Sequence, residues 1–429
     1  MKSLSFFLSL SLLPLAALAA PHADRPAGMP DLPPDAPSSA YRAHLSAPAT
    51  LQTGWWGDDE DEAPDSDVLD TVLATGERNL KWLEFINTKR AEKLSFTSKE
   101  TTRAYPIDAP NEYNPTIIKN EYEALKKEYP AALAAVVFDK KAFPEQPPLP
   151  VAEYIAWSFK LDRVYQGAAR WRTMQGYLSY LTGQRKQDIR GYYYLNRLAD
   201  RGNALRNYAN LDAKKKAEIK DALVGVCYNG AIATVASCER DVNERIQAGG
   251  DLNSLYAKWE AKSAGVYNKF FQIPAGAARR GFRWETSATG TVFTTPFTDP
   301  GKEDVRRFLQ DNIQDEWRFG NWKLLLPFTT ANGAPEVVFE PGVTPHVNGL
   351  GGDTITMNAS QPLTEYDAQW TIRHEFGHVL GLPDCYVEFY VPERKVIVNY
   401  QIDIDNIMCS RRGHVKQENV SELQKAYAN

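Results

Sequence analysis

The chain has 429 residues, of which 43% are hydrophobic and 24% are charged. This length and balance are typical of two or three globular domains with a sizeable hydrophobic core. The net charge of −5 at pH 7 argues against nucleic acid as the main partner, because phosphate binding requires a basic surface.

The N-terminus has the pattern of a secretory signal peptide. Lys2 supplies a short positive region, and residues 6–18 form an apolar run that is too short to span a bilayer comfortably. Ala17 and Ala19 fit the small-x-small rule for cleavage. The sequence therefore predicts a signal peptide at residues 1–19 and a secreted or periplasmic protein without a membrane span after cleavage. An uncleaved membrane anchor is the alternative interpretation.

The segment that follows is compositionally biased. Residues 20–67 are rich in Pro, Ala and Asp. Such a segment cannot bury enough apolar area to offset its chain entropy. We expect a disordered acidic linker here, or part of a pro-segment.

Residues 68–275 have a helical pattern. Leu69 and Leu73 begin a series of leucines at helical spacing, and the rest of the stretch contains few strand-like alternations. This predicts a mostly α-helical domain that acts as a pro-region or as an accessory domain. Its aromatic residues, Trp171 and Tyr180 among them, could line a ligand groove, although core packing is the commoner role of aromatic residues on helices.

A second domain is predicted at residues 276–429. A small-residue joint at residues 274–278 precedes Arg279 and Arg280, and we expect either cleavage near Arg280 or an ordinary interdomain linker. Thr, Val and aromatic residues then predict strands within residues 282–297.

The middle of this domain predicts a helix and further strands. Asp299 and Pro300 resemble the N-cap and first position of a helix. The apolar residues of that helix lie on one face: Val305, Phe308, Leu309, Ile313 and Trp317. Short strands are predicted at residues 336–339 and 354–357. The chain as a whole is therefore predicted to be an α+β protein.

The four cysteines are Cys227, Cys238, Cys385 and Cys409. An even number of cysteines in an exported chain indicates two disulfides, for which three pairings are possible. We favour Cys227–Cys238 with Cys385–Cys409, because each bridge then lies within one predicted domain.

The most informative motif is His-Glu-x-x-His-x-x-Gly-x-x-Asp, which begins at His374 and ends at Asp384. Residues four apart on a helix share a face, so His374 and His378 can bind one metal ion. Gly381 can end the helix and let the chain return Asp384 to the same ion. Two imidazoles and one carboxylate form a three-ligand site typical of catalytic zinc. Glu375 is then the predicted general base, which takes a proton from water.

The flanking residues support a helix that carries this motif. Thr364 and Asp367 could form a capping box at its start. The apolar residues Ala368, Ile372, Phe376 and Val379 form a stripe on the side opposite the two histidines. One face of the helix is therefore predicted to pack on the core while the other faces a cleft.

This motif resembles the metzincin signature with its last histidine replaced by aspartate, as in the snapalysin family of small secreted zinc proteases. The resemblance covers the last third of the chain and implies a metzincin-like catalytic fold. It also implies that Tyr386, two residues after the aspartate, assists the transition state; an ordinary packing tyrosine is the alternative. Met408 matches the methionine turn that lies beneath the metal in metzincins.

Two features depart from that family. Residues 387–405 form an unusual insertion whose alternation predicts a β-hairpin around residues 392–394. The long helical domain is also absent from the snapalysin pattern. The predicted function is a zinc-dependent endopeptidase acting on protein or peptide substrates. The alternatives are a zinc amidase acting on non-standard peptides, and a binding or toxin-like protein with an accessory metal site.

Overall fold

The computed structural model of the chain describes residues 63–96, 104–230 and 233–428. Helix and sheet are both present, which confirms the predicted α+β class. The predicted signal peptide and residues 20–62 lie outside the described ranges. The first helix begins at Ala63, inside the segment predicted to be disordered. Extending an existing helix adds a backbone hydrogen bond per residue without the cost of a new nucleus, so composition locates such a boundary poorly.

The N-terminal half is helical, as predicted. Its elements are α1 (Ala63–Thr88), strand β1 (Asn111–Tyr113), α2 (Pro115–Glu128), α3 (Ala131–Val137), α4 (Val151–Met174), α5 (Leu178–Gln184), α6 (Arg190–Arg197), α7 (Arg201–Arg206), α8 (Ala213–Gly230), α9 (Val235–Gln247) and α10 (Asn253–Lys269).

Local capping explains where some of these helices begin. Asn114 accepts a hydrogen bond from the Ile117 backbone N–H at 2.8 Å, and Pro115 occupies the first position of α2. Thr234 and Ser237 form a reciprocal capping box at the start of α9. Trp171 packs in a buried aromatic and aliphatic core, as expected for an aromatic residue on a helix.

The C-terminal half contains short strands around one long buried helix. Its elements are β2 (Arg283–Ser287), β3 (Gly290–Thr294), β4 (Phe297–Thr298), α11 (Glu303–Leu309), β5 (Arg318–Phe319), β6 (Trp322–Leu325), β7 (Phe328–Thr329), β8 (Glu336–Glu340), β9 (His346–Val347), β10 (Thr354–Asn358), α12 (Tyr366–Val379), β11 (Tyr386–Val391), β12 (Val396–Gln401) and α13 (Gln417–Tyr427).

The strands form small sheets ordered β2-β3-β6-β5, β4-β7 and β8-β10-β9. They confirm the strands predicted within residues 282–297 and at residues 336–339 and 354–357. The apolar face predicted for the helix that follows Pro300 is buried from Val305 to Trp317. That whole face packs in the same core as α12.

The predicted start of α11 was wrong. The helix begins at Glu303, with Lys302 at the N-cap position, and Asp299 does not cap it. Asp299 instead accepts a hydrogen bond from the Gly301 backbone N–H. It also accepts from Nε and Nη2 of Arg306, at 2.8 Å each. The Asp299 carboxylate therefore stabilises a turn before the helix and does not cap α11.

The insertion at residues 387–405 forms the predicted hairpin, in which β11 and β12 pair antiparallel. The unpredicted feature is its third strand. β1, from the helical half of the chain, pairs antiparallel with β12, which gives the order β1-β12-β11. The insertion is thus the surface to which the helical half is joined.

A buried ion pair strengthens this junction. Arg170 on α4 forms a two-pronged pair with Glu388 on β11, and only 5% and 8% of the two side chains are exposed. The Tyr113 hydroxyl also donates to Glu388, at 2.6 Å. Each buried charge is therefore compensated, as burial requires.

The joint at residues 274–278 is exposed at residues 274–276, whereas Ala277 is buried. The backbone N–H of Arg279 donates to the Tyr427 hydroxyl. Its guanidinium donates to the carbonyls of Gly351 and Gly333. Arg280 is exposed. Cleavage near Arg280 and the domain boundary beside it stay predictions.

Within the described ranges, no helix combines the length and apolar character needed to cross a membrane.

The junction predicts a large effect for a single isosteric change. Glu388→Gln leaves the Arg170 charge buried without its partner, so we expect the free energy of unfolding to fall by about 3–5 kcal/mol in urea titrations. The control is Glu77→Gln, because Glu77 forms an exposed pair with Lys81 at 3.8 Å. That change should cost less than about 1 kcal/mol. Equal costs for the two variants would contradict the role assigned to the buried pair.

Candidate metal centre

Helix α12 presents the two motif histidines to one side. The rings of His374 and His378 lie one turn apart, with centroids 4.9 Å from each other. The opposite stripe is buried, as predicted, and consists of Ala368, Ile372, Phe376 and Val379. Packing of this stripe fixes the rotation of the helix about its axis and therefore the direction of both imidazoles.

The predicted capping box at the start of α12 was wrong. The helix begins at Tyr366, with Glu365 at the N-cap and no side-chain capping bond. The Glu365 backbone N–H closes a turn onto the Pro362 carbonyl at 3.1 Å. This turn delays the start of the helix, so Thr364 lies too early in the chain to cap it.

The end of α12 is the predicted reversal at Gly381. This glycine has φ = +87°, which L residues with a side chain rarely adopt. Its backbone N–H donates to the His378 carbonyl at 2.9 Å, and the Leu382 N–H donates to the Gly377 carbonyl at 3.0 Å. This pair of bonds is a Schellman motif. It turns the chain back so that Asp384 lies beside the histidines.

The three predicted ligands meet at one point. Asp384 Oδ1 lies 3.1 Å from His374 Nε2 and 3.3 Å from His378 Nε2. The candidate donor atoms all lie within 4.8 Å of one another, and all three residues are buried. Imidazole nitrogens and a carboxylate oxygen at this separation could hold one metal ion.

Backbone carbonyls orient both imidazoles. His374 Nδ1 lies 2.7 Å from the Ile407 carbonyl, and His378 Nδ1 lies 2.8 Å from the Leu382 carbonyl. Because a carbonyl oxygen only accepts, each Nδ1 carries the hydrogen and each Nε2 is directed toward Asp384. Hydrogen bonds of this kind set the tautomer in metal-binding histidines. Backbone carbonyls have no sequence signature, so the motif could not reveal them.

Glu375 is buried between these groups. Its Oε2 has no hydrogen-bond partner among the described residues. Burial raises the pKa of this carboxyl, although the nearby His378 and His374 oppose the shift. A buried carboxylate oxygen without a partner is costly unless a ligand or water completes it. Glu375 is therefore placed to act on a molecule that enters the site.

Charge coupling also affects His378. Burial lowers the pKa of its imidazole, but the adjacent Asp384 carboxylate outweighs burial and raises that pKa to about 9. In the metal-free chain, a proton therefore neutralises this pair at pH 7. A metal ion bound there would displace the proton, as expected when ligands must lose protons to bind metal.

Met408 packs against α12 at Gly377, while its assignment to a methionine turn stays a prediction. A Cβ added at Gly377 would lie 2.2 Å from Met408 Sδ, so the glycine permits this close contact. The adjacent Cys409 is bridged to Cys385, and the Cys385 backbone N–H donates to the Met408 carbonyl at 3.0 Å. The segment after Asp384 is thus pinned to the segment that contains Met408.

Both predicted disulfides are present, since Cys227 is bridged to Cys238 in the helical half. Each closes a short stretch of chain within one half of the molecule. Two disulfides fit an extracellular protein, because such bonds persist in oxidising compartments.

Two further residues lie near the candidate metal site. Tyr386 begins β11, is half-buried and lines a cavity together with Asp384, while its predicted catalytic role stays a prediction. Arg411 was missed by the sequence analysis: it is buried, donates to the Thr371 hydroxyl at 2.5 Å and lowers the pKa of Glu375. No motif marks it, because its neighbour Arg412 makes the pair resemble a basic surface turn.

Comparison with known proteins found no relative of this chain. No family model, no curated protein and no solved structure matches the chain. The function of the site must therefore be argued from its own residues.

The reversal at Gly381 can be tested with two glycines. Gly381→Ala forces a side chain into a left-handed backbone, and its Cβ would lie 2.9 Å from the Ala277 carbonyl. We expect a loss of about 1–2 kcal/mol in the free energy of unfolding, together with weaker metal binding measured by equilibrium dialysis. Gly265→Ala in α10 is the control, since its Cβ meets nothing within 4 Å and should add about 0.5–1 kcal/mol of stability. Unchanged metal affinity in Gly381→Ala would show that the turn does not place Asp384.

Proposed function

We propose that this protein is a zinc-dependent peptidase that hydrolyses peptide bonds with water. His374, His378 and Asp384 hold the zinc ion, and Glu375 is the general base. The observation that carries the proposal is the position of Glu375, a buried carboxylate with an unpartnered oxygen beside a three-donor group that could hold a metal.

The donor set suits zinc. Two neutral imidazoles with one carboxylate leave a coordination position for another molecule, which distinguishes catalytic from structural zinc sites. The backbone carbonyls that orient His374 and His378 supply the outer contacts such ligands need. When bound, the metal would polarise a carbonyl group and lower the pKa of water.

Glu375 moves the proton in this mechanism. Its carboxylate accepts a proton from water as the water oxygen bonds to the peptide carbonyl carbon. The same proton then passes to the leaving nitrogen as the carbon–nitrogen bond breaks. The raised pKa of Glu375, caused by burial, suits a group that must hold a proton between the two steps.

The resemblance to snapalysin-like metzincins supports the same chemistry. It rests on the motif from His374 to Asp384 and on Met408, which packs against α12. Tyr386 lines the cavity that reaches Asp384 and is the proposed group that stabilises the carbonyl oxygen or donates a proton. The predicted signal peptide and the two disulfides support secretion of the enzyme.

The general base can be separated from the metal ligands by one substitution. Glu375→Gln keeps the size of the side chain but removes its basicity, so zinc content should stay at one ion per chain. The rate of peptide cleavage should fall by about 10²–10⁴-fold. Glu336→Gln, on an exposed position of β8, is the matched control and should retain full activity.

The readouts are zinc analysis by mass spectrometry and cleavage of casein and of a quenched fluorescent peptide library, with and without chelator. Full activity in a zinc-loaded Glu375→Gln variant would refute the proposed mechanism. A zinc-loaded wild-type chain that cleaves nothing would instead favour a binding protein with an accessory metal site.

A further inference from the structure

The hairpin formed by β11 and β12 is buried on both faces. Every residue of β12 is buried, which is typical of a strand that is covered on both sides. Successive side chains of a strand point to opposite faces of the sheet. Val396, Val398 and Tyr400 pack in the core that contains α12, whereas Ile397 packs in the core of the helical half. The hairpin is therefore shared between two hydrophobic cores.

The helical half also covers one edge of the hairpin and compensates its buried charge. β1 pairs with β12 from Asn111 to Tyr113, so the outer backbone groups of β12 do not form a free sheet edge. Arg170 pairs with the buried Glu388. Without the helical half, the hairpin would present Ile397 to water, an open edge and a carboxylate that has lost its partner. Each of these changes is unfavourable.

The dependence of the two halves is reciprocal. Ile107, Ile189 and Phe270 come from the helical half and are buried in the core that contains α12. The Ile189 backbone N–H also donates to the Tyr400 hydroxyl, which donates in turn to Asp188, each at 3.0 Å. Each half therefore buries side chains in the core of the other. Contacts of this kind are typical of permanent interfaces, which resemble a domain core cut in two.

The joint between the halves is exposed at residues 274–276 and is held on both sides. Before it, the Ile273 backbone N–H donates to the Glu422 carboxylate in α13 at 3.0 Å. After it, Ala277 is buried, and Arg279 makes the contacts with the C-terminal half described above. A cut within residues 274–276 therefore leaves both new ends beside contacts that hold them in place.

Neither disulfide joins the two halves. Cys227 is bridged to Cys238 in the helical half, and Cys385 is bridged to Cys409 in the C-terminal half. These are all the cysteines of the chain. A chain that is cut at the joint is therefore held together by noncovalent contacts alone, and cutting it tests the strength of those contacts directly.

We propose that the helical half is a permanent part of this protein, and that the β11–β12 hairpin is the surface that retains it after the chain between the halves is cut. A cleavage near Arg280 then nicks the protein without releasing a pro-region. The inference does not depend on the proposed peptidase function, because it concerns only the contacts between the two halves.

The test uses the full-length chain with the recognition sequence of a site-specific protease inserted between Ala275 and Gly276. The chain is cut to completion and analysed by gel filtration without denaturant. At about 1 µM we expect both fragments to elute together at the volume of the uncut chain, which requires a Kd below about 1 µM. Elution of the fragments in separate peaks overturns the proposal. This readout involves neither metal binding nor catalysis, so it stands if the proposed function fails.

Substitutions at the junction then assign the association to the hairpin. Glu388→Gln leaves Arg170 buried without its partner, so the cut chain should dissociate at least about 100-fold faster. Glu112→Gln is the matched control, because Glu112 pairs with Arg394 across the same junction but both side chains are more exposed. It should change the dissociation rate by less than about five-fold. The rate is the loss of energy transfer between dyes on the two fragments in an excess of unlabelled cut chain.

A milder variant decides the outcome if Glu388→Gln does not fold. Tyr113→Phe removes only the hydroxyl that donates to Glu388, so it should speed dissociation by about ten-fold. Thermal unfolding of each uncut variant shows which of them fold. Rates equal to that of the wild type in the folded hairpin variants, or an equally large increase in Glu112→Gln, overturn the assignment of the association to the hairpin.

Discussion

The contact between Asp384 and the two histidines is the constraint on which the rest of the structure depends. Three buried polar groups can lie this close only if a metal ion or a proton balances their charge. The left-handed turn at Gly381 brings the carboxylate back to the helix. The Cys385–Cys409 bridge and the packing of Met408 against α12 then hold the returning segment in place. Helix α12, the turn at Gly381 and the Cys385–Cys409 bridge together place Asp384 Oδ1 beside the Nε2 atoms of His374 and His378.

The hairpin inserted after Asp384 links this centre to the helical half of the chain. It begins at Tyr386, provides the strand that pairs with β1 and buries Glu388 against Arg170. The other strand of the hairpin, β11, lines the cavity that Asp384 also lines. The hairpin therefore connects the candidate metal centre to the helical half. Residues of the helical half thus line the same cavity as Asp384.

Sequence reasoning predicted the features that depend on local spacing. These features follow from residues close in the chain: the grouping of His374, His378 and Asp384, the apolar stripe of α12, the turn at Gly381, the hairpin and both disulfides. It failed where a longer-range or competing contact decides the structure. Asp299 is used by Arg306 instead of capping α11, and β1, at three residues, is too short to give a pattern. Arg411 is buried near Glu375 only because the chain after Met408 folds against α12, which no local motif encodes.

X-ray absorption at the zinc edge tests the central claim most directly, because it reports the atoms that surround the metal. The measurement uses the full-length chain loaded with one equivalent of zinc, with His378→Ala and Asp384→Asn as comparisons. We expect nitrogen and oxygen neighbours at about 2.0–2.2 Å, imidazole scattering that weakens in His378→Ala, and no sulfur shell near 2.3 Å. A spectrum of fully hydrated zinc, a sulfur shell, or a spectrum that neither substitution changes would contradict it.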